Sequence, residues 1–196
     1  MVEANQRVKP EVLADLLRQG MARGQRPFLV ITSGSMRPLL RVDDAVQLEL
    51  VQGSELCPGD LLTLQDTTVL VTHRFCGWWL GEDGQYLVTR GDRSLVLDVP
   101  WRPSQLVGRV VARRRQNRWV SVRTGWGGWL SRHVARLAAA EERFFHLSNI
   151  PPGFSVAPVT RLGRSDVLTG FIRRLIYLWL TLFVGLIELA SVKTYP

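Results

Sequence analysis

Residues 61–75 read LLTLQDTTVLVTHRF, which resolves into two runs of strand length, Leu61–Gln65 and Thr68–Phe75, parted by Asp66 and Thr67. Leucine, valine, threonine and phenylalanine dominate both runs, and each is too short for a stable helix but long enough for a strand. Working outward, the same signature recurs at Phe28–Thr32, Ala45–Val51, Tyr86–Thr89, Leu106–Ala112 and Arg118–Val122, with Gly, Pro and Asp between the runs. Short strands with little helix between them predict a mainly β chain, a compact antiparallel β domain closed or folded over on itself, spanning 28–122.

The flanks differ in kind. Within 1–27, Pro10 at a first helical position, the apolar pairs Val12/Leu13 and Leu16/Leu17 one turn apart, and Gly20 as a stop predict a short amphipathic packing helix. The region 123–166 begins with the Trp/Gly-rich stretch Gly125–Gly128. A helix is expected from Trp129 to about Leu147, carrying Val134, Leu137, Ala138 and Phe145, and Pro151-Pro152-Gly153 then opens a linker that extends through Arg161–Asp166. From 167 to 196 a C-terminal helix is expected, because Leu175–Ile187 is hydrophobic except at Thr181 and Gly185. No internal repeat is visible.

Length and charge bound the rest. A chain of 196 residues suits one core domain with an appendage. Its formal charge of +8 favours an anionic partner, either nucleic acid or the anionic face of a membrane. Cys57 and Cys76 show neither metal-ligand spacing nor disulfide density, so both read as free thiols, and no metal or cofactor is expected. Charges run throughout Met1–Arg26, which leaves no apolar stretch to export or anchor the amino terminus. Leu175–Val192, with Glu188 inside it, approaches the roughly 17–25 apolar residues of a membrane span and predicts membrane association, spanning or interfacial. Arg161, Arg164, Arg173 and Arg174 precede it and only Lys193 comes after, a bias that sets the β domain on the cytoplasmic side of a spanning segment.

Three pieces carry chemistry. Ser33-Gly34-Ser35-Met36-Arg37-Pro38 comes directly after a strand, which puts Ser35 on a tight, exposed turn. The strand Thr68–Phe75 carries His73, one of three histidines. Serine is a poor nucleophile without an adjacent base, and an imidazole suits that task at neutral pH. Thr89-Arg90-Gly91-Asp92 ends a further strand and Asp98 lies six residues later, so either carboxylate can orient the imidazole.

In this order the pieces resemble the motifs of the type I signal peptidases, in the archaeal and endoplasmic-reticulum branch that uses a Ser/His pair. The resemblance runs from about Phe28 to Ala112. Ser33–Pro38 looks like the nucleophile motif, Gly59-Asp60-Leu61-Leu62 the structural motif, Val71-Thr72-His73-Arg74-Phe75 the base motif, Arg90-Gly91-Asp92 to Asp98 the acidic motif, and Val107–Val111 the closing strand. The resemblance implies a signal-peptidase-like β domain and a serine endopeptidase that removes signal or leader peptides from precursor proteins or peptides. Ser35 would attack the scissile carbonyl and His73 take its proton, with Asp92 and Asp98 at the acidic positions. The oxyanion hole would be the Ser35 N–H with the Ser33 hydroxyl. Arg37 stands where the family often has an acidic residue, and Arg93-Ser94 where asparagines are usual. A variant keeps this chemistry for one dedicated precursor at the cytoplasmic face.

Two other classes compete. A self-cleaving repressor shares the β core, but about 27 leading residues cannot hold a helix-turn-helix domain and such repressors use a lysine base. A non-catalytic basic module would bind lipid headgroups or RNA through Arg113–Arg115 and Arg173-Arg174, with Trp119 and Trp126 near basic residues, although no RNA-binding motif accompanies them and no nucleic acid is expected as a partner.

Overall fold

The computed structural model of the chain describes residues 8–94, 97–125, 127–129 and 131–133, together with Leu175, Leu178, Trp179, Thr181, Leu182 and Gly185. The first element is α1 (Pro10–Ala22), with proline in its opening turn and Glu11 beside the positive end of the helix dipole. It continues past Gly20, because the left-handed residue that ends it is Gly24, at φ 78°. The Gln25 N–H reaches the Gly20 carbonyl and the Gly24 N–H reaches Met21, the paired bonds of a Schellman cap. The stripe that α1 buries is Ala14, Leu17 and Met21, whereas Val12 and Leu16 of the expected apolar pairs face solvent. Arg18 ties the helix down through the carbonyls of Leu106 and Ser104 and the Gln65 amide.

All seven expected strands are present, as β1 (Phe28–Val30), β2 (Ala45–Glu49), β3 (Leu61–Gln65), β4 (Leu70–Gly81), β5 (Gly84–Arg90), β6 (Leu106–Arg115) and β7 (Arg118–Ser121). They form one antiparallel sheet in the order β1-β2-β6-β3-β4-β5, with β7 also on β6. Arg109 pairs with both Glu49 and Leu62, and Ala112 with both Gln47 and Ser121. The sheet therefore forks at β6: one edge carries β2, and the other carries β3 along its first half and β7 along its second.

Three strands run longer than alternation alone suggests. β4 passes Phe75 because Cys76 forms a bulge, after which Gly77 pairs with Val88 and the ladder continues to Gly81. β5 in turn extends to Arg90. β6 takes in Arg113–Arg115, and Gln116 and Asn117, both at positive φ, then turn the chain into β7. These arginines are not a solvated strand end. Arg113 is buried, Arg114 stands over the rings of Phe28 and Trp119, and Arg115 pairs with Asp44 at 2.7 Å.

β3 separates two cores. Leu61 joins Ala14, Leu17, Met36, Leu40, Val46, Leu48, Val107 and Val110 beneath α1, while Leu62 and Leu64 point the other way, to Phe75, Leu87, Trp78 and Trp101. A strand buried on both faces is mostly apolar along its length, and residues 61–64 are all buried, three of them leucines, with Thr63 paired through its hydroxyl to Thr72.

Beyond β7, Gly125, Gly127–Trp129 and Ser131–His133 are helical, as are the six described residues between Leu175 and Gly185. The rest of the helix expected to Leu147, the Pro/Gly linker and most of 167–196 lie outside the described residues. No helix among the described residues is long and apolar enough to cross a membrane.

Helix and sheet approach closely at Gly108. A Cβ there would lie 2.9 Å from the Glu49 carbonyl oxygen and 3.0 Å from Met21 Sδ. Gly108→Ala is therefore expected to destabilise the fold by about 1–3 kcal/mol, read as a lower urea midpoint at unchanged slope.

Candidate active site

The nucleophile turn is seated by the residues just after it. Met36 and Leu40 bury their side chains in the first core, the Leu40 N–H donates to the Met36 carbonyl, and Ser35 is left partly exposed above them. From β4, paired with Leu62, comes His73, and its Nε2 lies 3.2 Å from Ser35 Oγ. Ser33 Oγ is 3.3 Å from Ser35 Oγ, so the two turn hydroxyls lie side by side.

The loop after β5 backs this pair. A Cβ at Gly91 would meet His73 Nε2 at 3.2 Å and Ser35 Cβ at 3.3 Å, so any side chain there would press into the contact. The Arg93 N–H donates to the Ser35 carbonyl at 2.9 Å, pinning the turn from the other side.

Of the two candidate carboxylates, Asp98 meets the imidazole: its Oδ2 is 2.6 Å from His73 Nδ1. The side chains are mostly shielded, 15% exposed for His73 and 19% for Asp98. Asp98 is itself held by its N–H on the Thr89 carbonyl and by the Thr89 hydroxyl on Oδ2, while the Trp101 indole donates to Thr89 Oγ1 at 2.9 Å.

Asp92 has a different place. Both of its oxygens are taken by Arg74, at 2.7 and 2.8 Å, in a pair only 2–3% exposed. Arg74 is the next residue after His73 on β4 and so points to the opposite face of the sheet, and there its Nη1 also donates to the Gly59 carbonyl and to Ser131. Asp92 thus anchors the loop that carries Gly91, and of the two candidate carboxylates it is Asp98 that meets the imidazole. Gly59 and Asp60 likewise act on the frame: the Gly59 N–H donates to the Phe75 carbonyl, the Phe75 N–H to the Asp60 carbonyl, and the Asp60 carboxylate receives Arg109.

Sequence reasoning passed over Arg74, Thr89, Trp101 and Ser131. One signal was available, since an arginine beside the apolar Phe75 within a strand needs a carboxylate if it is buried. Nothing in spacing alone marks the other three. Among the described residues, no group of three or more His, Cys, Asp or Glu side chains is placed to hold a metal ion.

No family model, curated protein or solved structure matches this chain. The functional reading rests on the motifs and on this geometry, a hydroxyl within reach of an imidazole whose other nitrogen meets a carboxylate. Such an arrangement can raise the nucleophilicity of a serine and stabilise the imidazolium formed as the proton moves.

The two aspartates should respond differently to loss of charge. Asp92→Asn leaves Arg74 buried without its counter-charge and is expected to cost about 3–5 kcal/mol in urea unfolding. Asp98→Asn should cost about 1–2 kcal/mol in stability and lower the reactivity of Ser35 by about 10³–10⁴-fold. Equal losses of stability, with serine reactivity untouched by Asp98→Asn, would make Asp98 a structural partner only.

Proposed function

We propose that this chain is a serine endopeptidase of the type I signal peptidase kind, acting on precursor proteins or peptides through Ser35 and His73. The observation that carries the proposal is the approach of His73 Nε2 to Ser35 Oγ at 3.2 Å with Asp98 Oδ2 2.6 Å from Nδ1. In the proposed reaction Ser35 Oγ attacks the scissile carbonyl while its proton passes to Nε2, and the imidazolium then protonates the leaving amine. Water, deprotonated by the same nitrogen, releases the acyl group from Ser35. The tetrahedral oxyanion would be met by the Ser35 N–H and the Ser33 hydroxyl, a donor pair of which each member is worth about 10²–10³ in rate.

A lysine base has no candidate in the β region, because the chain's lysines are Lys9 and Lys193. That weighs against the self-cleaving repressor reading. Attachment to a membrane through Leu175–Ile187 belongs to the same proposal, with the β domain on the cytoplasmic side as the arginines before that segment indicate.

Ser35 and His73 are expected to act as one unit, so Ser35→Ala, His73→Ala and the double variant should retain rates within about twofold of one another. Mass spectrometry of cells carrying Ser35→Ala should show uncleaved precursors accumulating, and His73→Ala with near-normal turnover would contradict the proposal. For the membrane, deletion of 175–196 should move the β domain to the soluble fraction, and protease added outside intact cells should leave it uncut. Full-length protein that is soluble without detergent would exclude the attachment, and digestion from outside would place the β domain on the outer face.

A further inference from the structure

We infer that Thr89 and Trp101 are positioning residues that set the order of protons across the site, so that the ring nitrogen facing Ser35 is left with a free lone pair. The order is decided by what each group can give. An indole N–H only donates, and a hydroxyl carries one hydrogen and accepts on its oxygen. The Trp101 Nε1–H donates to Thr89 Oγ1 at 2.9 Å, which occupies that oxygen as an acceptor. The hydrogen of Thr89 is then directed to Asp98 Oδ2. An Oδ2 that receives this hydrogen presents lone pairs, so in its 2.6 Å contact with His73 Nδ1 the hydrogen comes from the ring. With the ring hydrogen on Nδ1, neutral imidazole has its lone pair on Nε2, 3.2 Å from Ser35 Oγ, and accepts the serine hydrogen. The chain of donations runs one way, from Trp101 to Thr89 to Asp98, where it meets the donation from His73.

The backbone holds this order in place. The Trp101 N–H and carbonyl exchange hydrogen bonds with Leu87, both at 2.8 Å, and the Asp98 N–H donates to the Thr89 carbonyl at 2.8 Å. Residues 98 and 101 are thereby fastened antiparallel to β5, and the partly buried Trp101 side chain packs against the second core. An aromatic fixed in the core thus aims its single donor at the hydroxyl that holds the carboxylate. The consequence for rate rests on the peptidase reading of Ser35 and His73, whereas the proton order does not.

The test uses the full chain with ¹⁵N-labelled histidine, in which the proton on His73 Nδ1 gives a resonance far downfield of the amides. Thr89→Val, close in shape but without the hydroxyl, should move that resonance upfield and speed its exchange with water; Thr89→Ser should restore both. Trp101→Phe keeps most of the ring packing and should shift the resonance the same way by less, and it carries the test should Thr89→Val fail to fold. The rate of Ser35 phosphonylation by a fluorophosphonate probe should fall about tenfold in Thr89→Val and about threefold in Trp101→Phe, the size of single hydrogen bonds. Because Trp101 acts through Thr89, the double variant should match Thr89→Val alone. Additive rate losses, or a resonance indifferent to both substitutions, would overturn the inference while leaving the peptidase reading standing. A resonance that depends on Thr89 in a chain whose Ser35 never reacts would do the reverse.

Discussion

A slip of one residue in the pairing of β4 with β3 would turn His73 away from Ser35 and bring Arg74 to the site, because side chains alternate across a strand. The register that prevents this is fixed from both ends. Leu61 must enter the core under α1 while Leu62 and Leu64 enter the other, and β4 tracks them pair by pair, His73 opposite Leu62. Ahead of β3, the exchange of backbone hydrogen bonds between Phe75 and Gly59-Asp60 locks the ladder one step beyond its last strand pair. Past the site, the bulge at Cys76 takes up the offset between β4 and β5, so that Thr89 still lies opposite Phe75, within reach of Asp98. The reactive geometry is therefore a consequence of where leucines are buried, and only then of the polar groups themselves.

Charge buried at low exposure does the finer placing. Arg74 with Asp92, Arg115 with Asp44, and Arg109 with Glu49 and Asp60 each join segments distant in sequence. Such pairs contribute little net stability when made but cost several kcal/mol when one partner is removed. Their effect here is to hold loops in one arrangement: Arg74 and Asp92 hold Gly91 against the imidazole, and Arg115 holds Asp44 beside the turn that receives Ile31. Ser131, beyond β7, completes the shell around Arg74, so the segment after the β domain reaches the frame of the site.

Much of this is legible in the chain. Alternation and turn residues locate every strand, and the resemblance to the signal peptidase motifs points to Ser35, His73, Asp92 and Asp98 among far more numerous hydroxyls and carboxylates. What is not legible depends on three dimensions. Asp92 and Asp98 share the same local character, and only the opposite faces taken by His73 and Arg74 assign one to the imidazole and the other to the guanidinium. The extension of β4 depends on a bulge that Cys76 does not announce. Gly20 reads as the helix stop, yet the end is set four residues later by the cap bonds of Gly24 and Gln25. Trp101 reads as one more core aromatic until its indole is seen aimed at Thr89.

The central claim is that the hydroxyl of Ser35 is activated by His73, and covalent capture tests it most directly. The full chain treated with a fluorophosphonate, digested and sequenced by tandem mass spectrometry, should carry the adduct on Ser35 and leave Ser33 unmodified. The adduct should vanish in His73→Ala. An adduct on other serines, none at all on Ser35, or labelling of Ser35 that survives the loss of His73 would contradict the account.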